Sequence, residues 1–419
     1  MSIGARHYTG LLIAAGLTLN SSFAQSPIRI GPSDDKRGYH SEQYSTNSLS
    51  LENRRGTATD LVSIANSKQR GLPDPKPYQE IQANPKQIAL GRALFFDRRL
   101  SRNKTMSCAM CHIPEQGFTN NELKRPVGFE GRALKRNAPT LLNVVYRKKL
   151  FADARESKLS QQVWSPLLAN NEMNNASVGA VIDQLLADAD YRALFDQAFG
   201  EAPNMINIGL AFAQYQQSLI AGDSRFDKWF YGKQQDALNA TEIAGFELFQ
   251  GKAGCASCHL FDQENALFTD HKLHNTGTGY RASMIAPQDT IEVQLAPGIT
   301  TTLDRSVIDS VGVKKANDLG RYEVTQSPSD RWKFLTPSLR NVGITAPYMH
   351  NGEFLDLRSV IEFYKQGGQG HELLSPLIKP LDLNSKETDS LIAFIHTLSS
   401  DNIEILIQDA FAATIEDQR

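Results

Sequence analysis

Two stretches of the chain carry residues able to do chemistry, "SCAMCHIPEQGFT" at 107–119 and "GCASCHL" at 254–260. Each sets two cysteines three apart with a histidine directly after the second: Cys108, Cys111 and His112, then Cys255, Cys258 and His259. Thiols at this spacing add across the two vinyl groups of a haem, and the adjoining histidine is held beneath the ring to bind iron. The same residue types admit a zinc site built from both cysteine pairs, or a redox dithiol. Two five-residue units of identical spacing, each with its histidine, in a chain whose four cysteines all lie within them favour haem over both. The expectation is two covalently bound c-type haems, with His112 and His259 as proximal ligands.

The sixth position on each iron decides between electron transfer and chemistry, since an open position admits peroxide or oxygen. The loop after the first motif, "IPEQGFTNNELKRPVGFEGRALK", contains no His, Met or Cys. Nothing local closes the first iron, which reads as the reactive one.

The elements that hold these motifs read as helices. Asn84 can cap a helix with Pro85 at its first position and Gln87 where a capping-box residue falls, so "IALGRALFFD" leads into the first motif as a helix. Asn239 and Glu242 repeat the cap spacing before "IAGFELFQ" and the second motif, and this repetition points to two related modules. Between them, "VGAVIDQLLADADYRALFDQAFG" and "INIGLAFAQYQQSLI" have helical spacing, and "SKETDSLIAFIHTLSS" reads as the last long helix. Strand signals are few, the clearest being "TIEVQLAP" in a Gly- and Pro-punctuated excursion from 280 to 330. The fold class is mostly α, with two cytochrome c-like helical haem domains and a long loop excursion in the second. The expected boundaries are a signal peptide over 1–24, a polar arm over 25–75, the first haem domain over 76–235, the second over 236–400, and a tail over 401–419.

The signal peptide is read from Arg6, the apolar run Leu11 to Leu19, and small residues Ser22 and Ala24 before the cleavage point. No later run is long enough to span a bilayer, so the expectation is a soluble periplasmic protein. A formal net charge of −2 gives no electrostatic case for nucleic acid or an anionic membrane.

Beyond these motifs the chain resembles the bacterial diheme cytochrome c peroxidases, and more closely their MauG-type branch. The resemblance runs over roughly residues 72 to 400 through "LGRALFFDRRLS", "RNAPTLLNVVY", "NDLGRYEVT", "FLTPSLRNVGITAPYMHNG" and "VIEFYKQGG". It implies two cytochrome c-like domains with a calcium ion between the haems, peroxide reacting at the first haem and the second relaying electrons. It places Glu172 as the acid–base carboxylate that moves a proton between the peroxide oxygens, with Gln162 and Pro166 beside it. It puts the calcium ligands on Asn137, Thr345 and Pro347. Ordinary peroxidases carry an iron-closing histidine in the loop that here reads "VGFEGR", and a methionine where Tyr364 stands, fourteen residues after His350. MauG-type proteins use a tyrosine there as axial ligand, and an anionic phenolate stabilises oxidised iron. His274 and His350 lie in familiar stretches but receive no ligand role. One departure is Ala152, in "FADAR", where the family places a tryptophan between the haems; Phe151 and Trp164 are the aromatics nearby in sequence.

The leading functional expectation is a MauG-like oxidoreductase that reacts with hydrogen peroxide, forms high-valent iron and oxidises a Tyr or Trp of a partner protein. The alternatives are a cytochrome c peroxidase fed with electrons by a small redox protein, and a non-enzymatic diheme electron carrier.

Overall fold

The structure is a computed structural model that describes residues 56–284, 289–296, 299–307 and 317–412. The expected signal peptide and most of the arm lie outside the described residues. The chain is mostly α, as its helical periodicities predict. Described strands are confined to two antiparallel ladders, Leu273–His274 with Phe334–Leu335 and Thr290–Ala296 with Ile299–Asp304. The second ladder is a hairpin whose first strand is the "TIEVQLA" run.

Two helix crossings form the frame. In the first, α1 (Pro85–Phe96) packs on α2 (Met205–Gln217). In the second, α3 (Ala240–Gln250) packs on α5 (Ser385–His396), with α4 (Leu357–Lys365) alongside. Both crossings close on a glycine. A Cβ on Gly91 would lie 1.9 Å from the Ala211 carbonyl oxygen, and one on Gly245 would lie 1.9 Å from that of Ser390. One helical turn on, Phe95 meets Tyr215 at a ring separation of 5.3 Å and Phe249 meets Phe394 at 5.2 Å. The same contact is thus built twice, once in each half of the chain. Phe226, Phe246, Phe249, Phe268 and Phe394 share the core beneath the second crossing.

The caps show where local sequence suffices. Asn239 and Glu242 make the reciprocal capping box at the start of α3, with bonds of 2.9 and 3.0 Å. Asn84 caps α1 as expected, but Gln87 does not return the bond. The Asn84 N–H donates instead to Gln214 on α2, and the Gln87 amide donates to the Ala198 carbonyl. Long-range partners displace the local one there. The helical run after residue 177 divides into Val178–Ala187 and Ala189–Phe199, because Asp188 accepts from the amides of Asp190 and Tyr191 and starts a new helix.

Order begins before the expected edge of the arm. The short helix Leu61–Asn66 is capped by Asp60 and buries Leu61 and Ala65. The end of the chain also folds back: α6 (Ile403–Ala410) buries Leu406 and Ala410, and Asp409 pairs with Arg92 of α1 at 2.9 Å.

Candidate haem pockets and distal site

One continuous cavity of about 930 Å³ is lined by Cys108, Cys111 and His112 and also by Cys255, Cys258 and His259. None of the four cysteines is paired in a disulfide. Burial pushes the Cys108, Cys111 and Cys255 thiols up to about 12, so they are neutral at ordinary pH. Burial likewise pushes the His112 imidazole down to about 4 and lowers that of His259. A neutral imidazole with one nitrogen occupied presents the other to a metal.

The occupied nitrogen is the same in both motifs. His112 Nδ1 lies 3.2 Å from the Phe118 carbonyl oxygen, and His259 Nδ1 lies 2.9 Å from that of Phe268. Phe118 and Phe268 both take positive φ, 56° and 51°, which turns each carbonyl to its histidine. Each turn is held by the same pair of hydroxyl bonds. Thr119 donates to the Ala138 carbonyl and Thr140 to Gly117 at 2.6 Å; Thr269 donates to Thr336 and Ser338 to Leu267, both at 2.7 Å. The segments supplying these groups are "PTLLN" at 139–143 and "PSLRN" at 337–341. Asn143 and Asn341 end them with φ of 61° and 63° and bond back to the chain just beyond α2 and α5. This second repeat is not revealed by the cysteine spacing; aligning the two halves on the proline and asparagine finds it.

The donor set fits two haems attached through thioethers: thiols in pairs, imidazoles oriented through Nδ1, and an open cavity reaching both. Bound there, each iron porphyrin supplies a redox centre. His274 also lines the cavity, but its Nε2 is 2.7 Å from Asp270 and engaged in that pair.

Above the first motif, Gln162, Pro166 and Glu172 all line the cavity. Gln162 ends the short helix Leu159–Gln162, Pro166 lies in Trp164–Leu168, and Glu172 follows in the turn. Burial raises the Glu172 carboxyl above the usual carboxylate range, and the nearby Arg155 charge opposes that rise. Arg155 is a residue the spacing of motifs does not single out. It lines the same cavity, sits 3.4 Å over the Phe151 ring, and is held by Asp153 at 2.8 Å. The "VGFEGR" loop packs against this wall: the Phe129 N–H donates to the Glu172 carbonyl at 3.0 Å. From that loop only Gly128 reaches the cavity, so it offers no ligand side chain. Met106, Met173 and Met349 line the cavity from elsewhere.

Tyr364, on α4, lines the cavity beside the second motif. Burial raises its hydroxyl, and Cys255 and Cys258 line the same cavity. Ala152 lines the cavity at the place of the family tryptophan, and its carbonyl accepts from the Leu335 N–H at 2.7 Å. Phe151 lines the cavity as well, whereas Trp164 is buried in its own helix and is not among the lining residues.

Asn137, Thr345 and Pro347 all line this cavity. The Asn137 Nδ2 lies 2.5 Å from the Pro347 carbonyl oxygen while its Oδ1 is buried without a partner. Rotating the amide exchanges the two atoms and sets two oxygens against each other, an arrangement a hard cation satisfies.

A helical fold with two haem-attachment motifs opening into one cavity defines a diheme c-type oxidoreductase, and the chain belongs to the di-haem cytochrome c peroxidase and MauG family. The profile described as "Di-haem cytochrome c peroxidase" matches residues 85–235. The methylamine utilization protein MauG of Methylorubrum extorquens is 34% identical over 77% of this chain and 81% of its own. The cytochrome-c peroxidase IdrP1 of a Pseudomonas species is 35% identical over 78% and 84%. Among solved structures, a MauG-like protein associated with microbial copper homeostasis superposes with a TM-score of 0.61 at 31% identity, covering 81% of this chain and 95% of its own. Among the described residues no helix is long and apolar enough to cross a membrane.

Proposed function

We propose that this diheme oxidoreductase is an exported, periplasmic MauG-type enzyme, which takes hydrogen peroxide at the first haem site and oxidises a tyrosine or tryptophan of a partner protein. The observation that carries this reading is the contrast between the two sites. Tyr364 lines the cavity together with Cys255 and Cys258, while the loop against Glu172 brings only glycine to it.

Cys108, Cys111 and His112 would hold the haem, which would supply the redox chemistry for peroxide. The protein's part is proton management and exclusion of water. Glu172 takes the proton from the nearer peroxide oxygen and returns it to the farther one as the O–O bond breaks. Its raised affinity for protons suits it to hold that proton in transit. Arg155 balances the carboxylate whenever the proton is away. Gln162 and Pro166 wall the pocket. Tyr364 would serve as a ligand for the second haem, and its phenolate would favour the oxidised metal. Asn137, Thr345 and Pro347 would hold calcium between the two halves and fix their spacing.

Electron paramagnetic resonance of the oxidised holoprotein tests this reading. One high-spin and one low-spin ferric signal are expected, with the low-spin signal alone altered in Tyr364→Phe and both lost on adding one equivalent of peroxide. Two low-spin signals indifferent to peroxide would indicate an electron carrier. A peroxide reaction that appears only after partial reduction, sustained by a small reduced c-type cytochrome, would indicate a cytochrome c peroxidase.

A further inference from the structure

Arg147 lies four residues beyond Asn143 and lines the cavity with His112 and Thr140. Its described hydrogen bond is a long one, from Nη2 to the Thr140 carbonyl at 3.5 Å. Other arginines of this region have carboxylates: Arg136 and Arg155 share Asp153, and Arg340 takes Asp227. Among the described residues Arg147 has no such partner, and burial pushes its guanidinium down to about 10 with no acidic group opposing. Lys148 and Lys149, next in the chain, are exposed and need no counter-ion from the protein. A guanidinium desolvated without an anion is costly, and the cost disappears when a carboxylate is supplied in bidentate register. A haem brings two carboxylates into this cavity.

We propose that Arg147 anchors a propionate of the haem attached at Cys108 and Cys111, and that its charge raises that haem's reduction potential. The proposal rests on the haem reading of the first motif. The contacts place it near the first motif: Arg147 reaches the Thr140 carbonyl, and the Thr140 hydroxyl donates to Gly117, next to the Phe118 carbonyl that faces His112. Reducing ferric to ferrous iron adds one negative charge to the site, and a fixed cation stabilises the product. The structural repeat confines the effect to one haem. Counting four residues from Asn341, as Arg147 is from Asn143, gives Thr345. The second site therefore has no basic side chain at this place to pair with a propionate.

The test uses the full holoprotein. A pyridine haemochrome assay on the natural sequence first counts haems, and fewer than two per chain would sink the reading on which the proposal rests. Midpoint potentials are then measured by spectroelectrochemistry, the second haem being assigned as the one perturbed by Tyr364→Phe. In Arg147→Met the equilibrium constant for reducing the first haem should fall at least tenfold, about 59 mV for one electron. The second haem should move less, and Arg147→Lys should recover most of the loss. An unchanged first midpoint with both haems loaded, or an equal fall at both, overturns the proposal. A crystal structure of the unsubstituted holoprotein gives a readout independent of any variant's folding. A propionate oxygen of the first haem is expected about 2.7–2.9 Å from the guanidinium. A guanidinium turned to the second haem, or to protein carbonyls alone, overturns it.

Discussion

Glu172 is protonated to higher pH than an ordinary glutamate because its site is dry, and only the deprotonated form can accept a proton from peroxide. The second-order rate of the peroxide reaction should therefore be low in acid and rise as pH passes through the raised pKa. Stopped-flow rates across pH would show this limb, and Glu172→Gln should remove it while lowering the rate by about 10²–10⁴-fold. A variant that retains both rate and pH limb would transfer the role to another group. The residue types of the haem motifs announce themselves in sequence because covalent attachment demands fixed spacing. Arg155 and Arg147 do not, since an arginine's role depends on which carboxylates the fold brings to it. Arg155 receives Asp153, two residues away, whereas Arg147 receives none among the described residues.

At the scale of elements, the two glycine crossings set how closely each helix pair approaches. Gly245→Ala would drive a methyl group into the Ser390 carbonyl and toward the Phe394 Cβ, which lies 2.7 Å from the ideal Cβ position. Overpacking of this kind destabilises by about 1–3 kcal/mol. Chemical denaturation of the holoprotein should show that loss, and an unchanged midpoint would mean that α3 and α5 can separate freely. The helices themselves were legible from periodicity and caps. The break at Asp188 and the fate of Gln87 were not, since a capping side chain chooses between a local amide and whatever tertiary packing brings nearer. The helix Ile403–Ala410 was also hidden, because its burial depends on α1 being there to receive it.

Across the whole molecule, Arg340 and Asp227 form an ion pair at 2.7 Å with side chains 1% and 0% exposed. Arg340 also donates to the carbonyls of Gly71 and Ala266, and so ties the start of the described chain to the loop that carries Phe268 and orients His259. Arg340→Met would leave the Asp227 charge buried alone, at a cost of about 3–5 kcal/mol. Thermal unfolding should register that loss, together with a change in the second haem's absorption spectrum as the His259 acceptor loop loosens. A fall in stability with an unaltered spectrum would limit Arg340 to a structural strut.

The sequence by itself determined the cofactor class, the helical character and the positions of the two Cys-x-x-Cys-His units, because covalent attachment chemistry and helix capping act over a few residues and leave fixed spacings. The family resemblance added the distal carboxylate, the tyrosine and the calcium positions as expectations. Only the tertiary structure decided that both motifs open into one cavity and that Phe118 and Phe268 turn their carbonyls to the histidines. It alone set the "VGFEGR" loop against Glu172 and left Arg147 facing the cavity without a counter-ion. Those outcomes depend on desolvation and on partners distant in sequence, and neither is written into any local stretch of the chain.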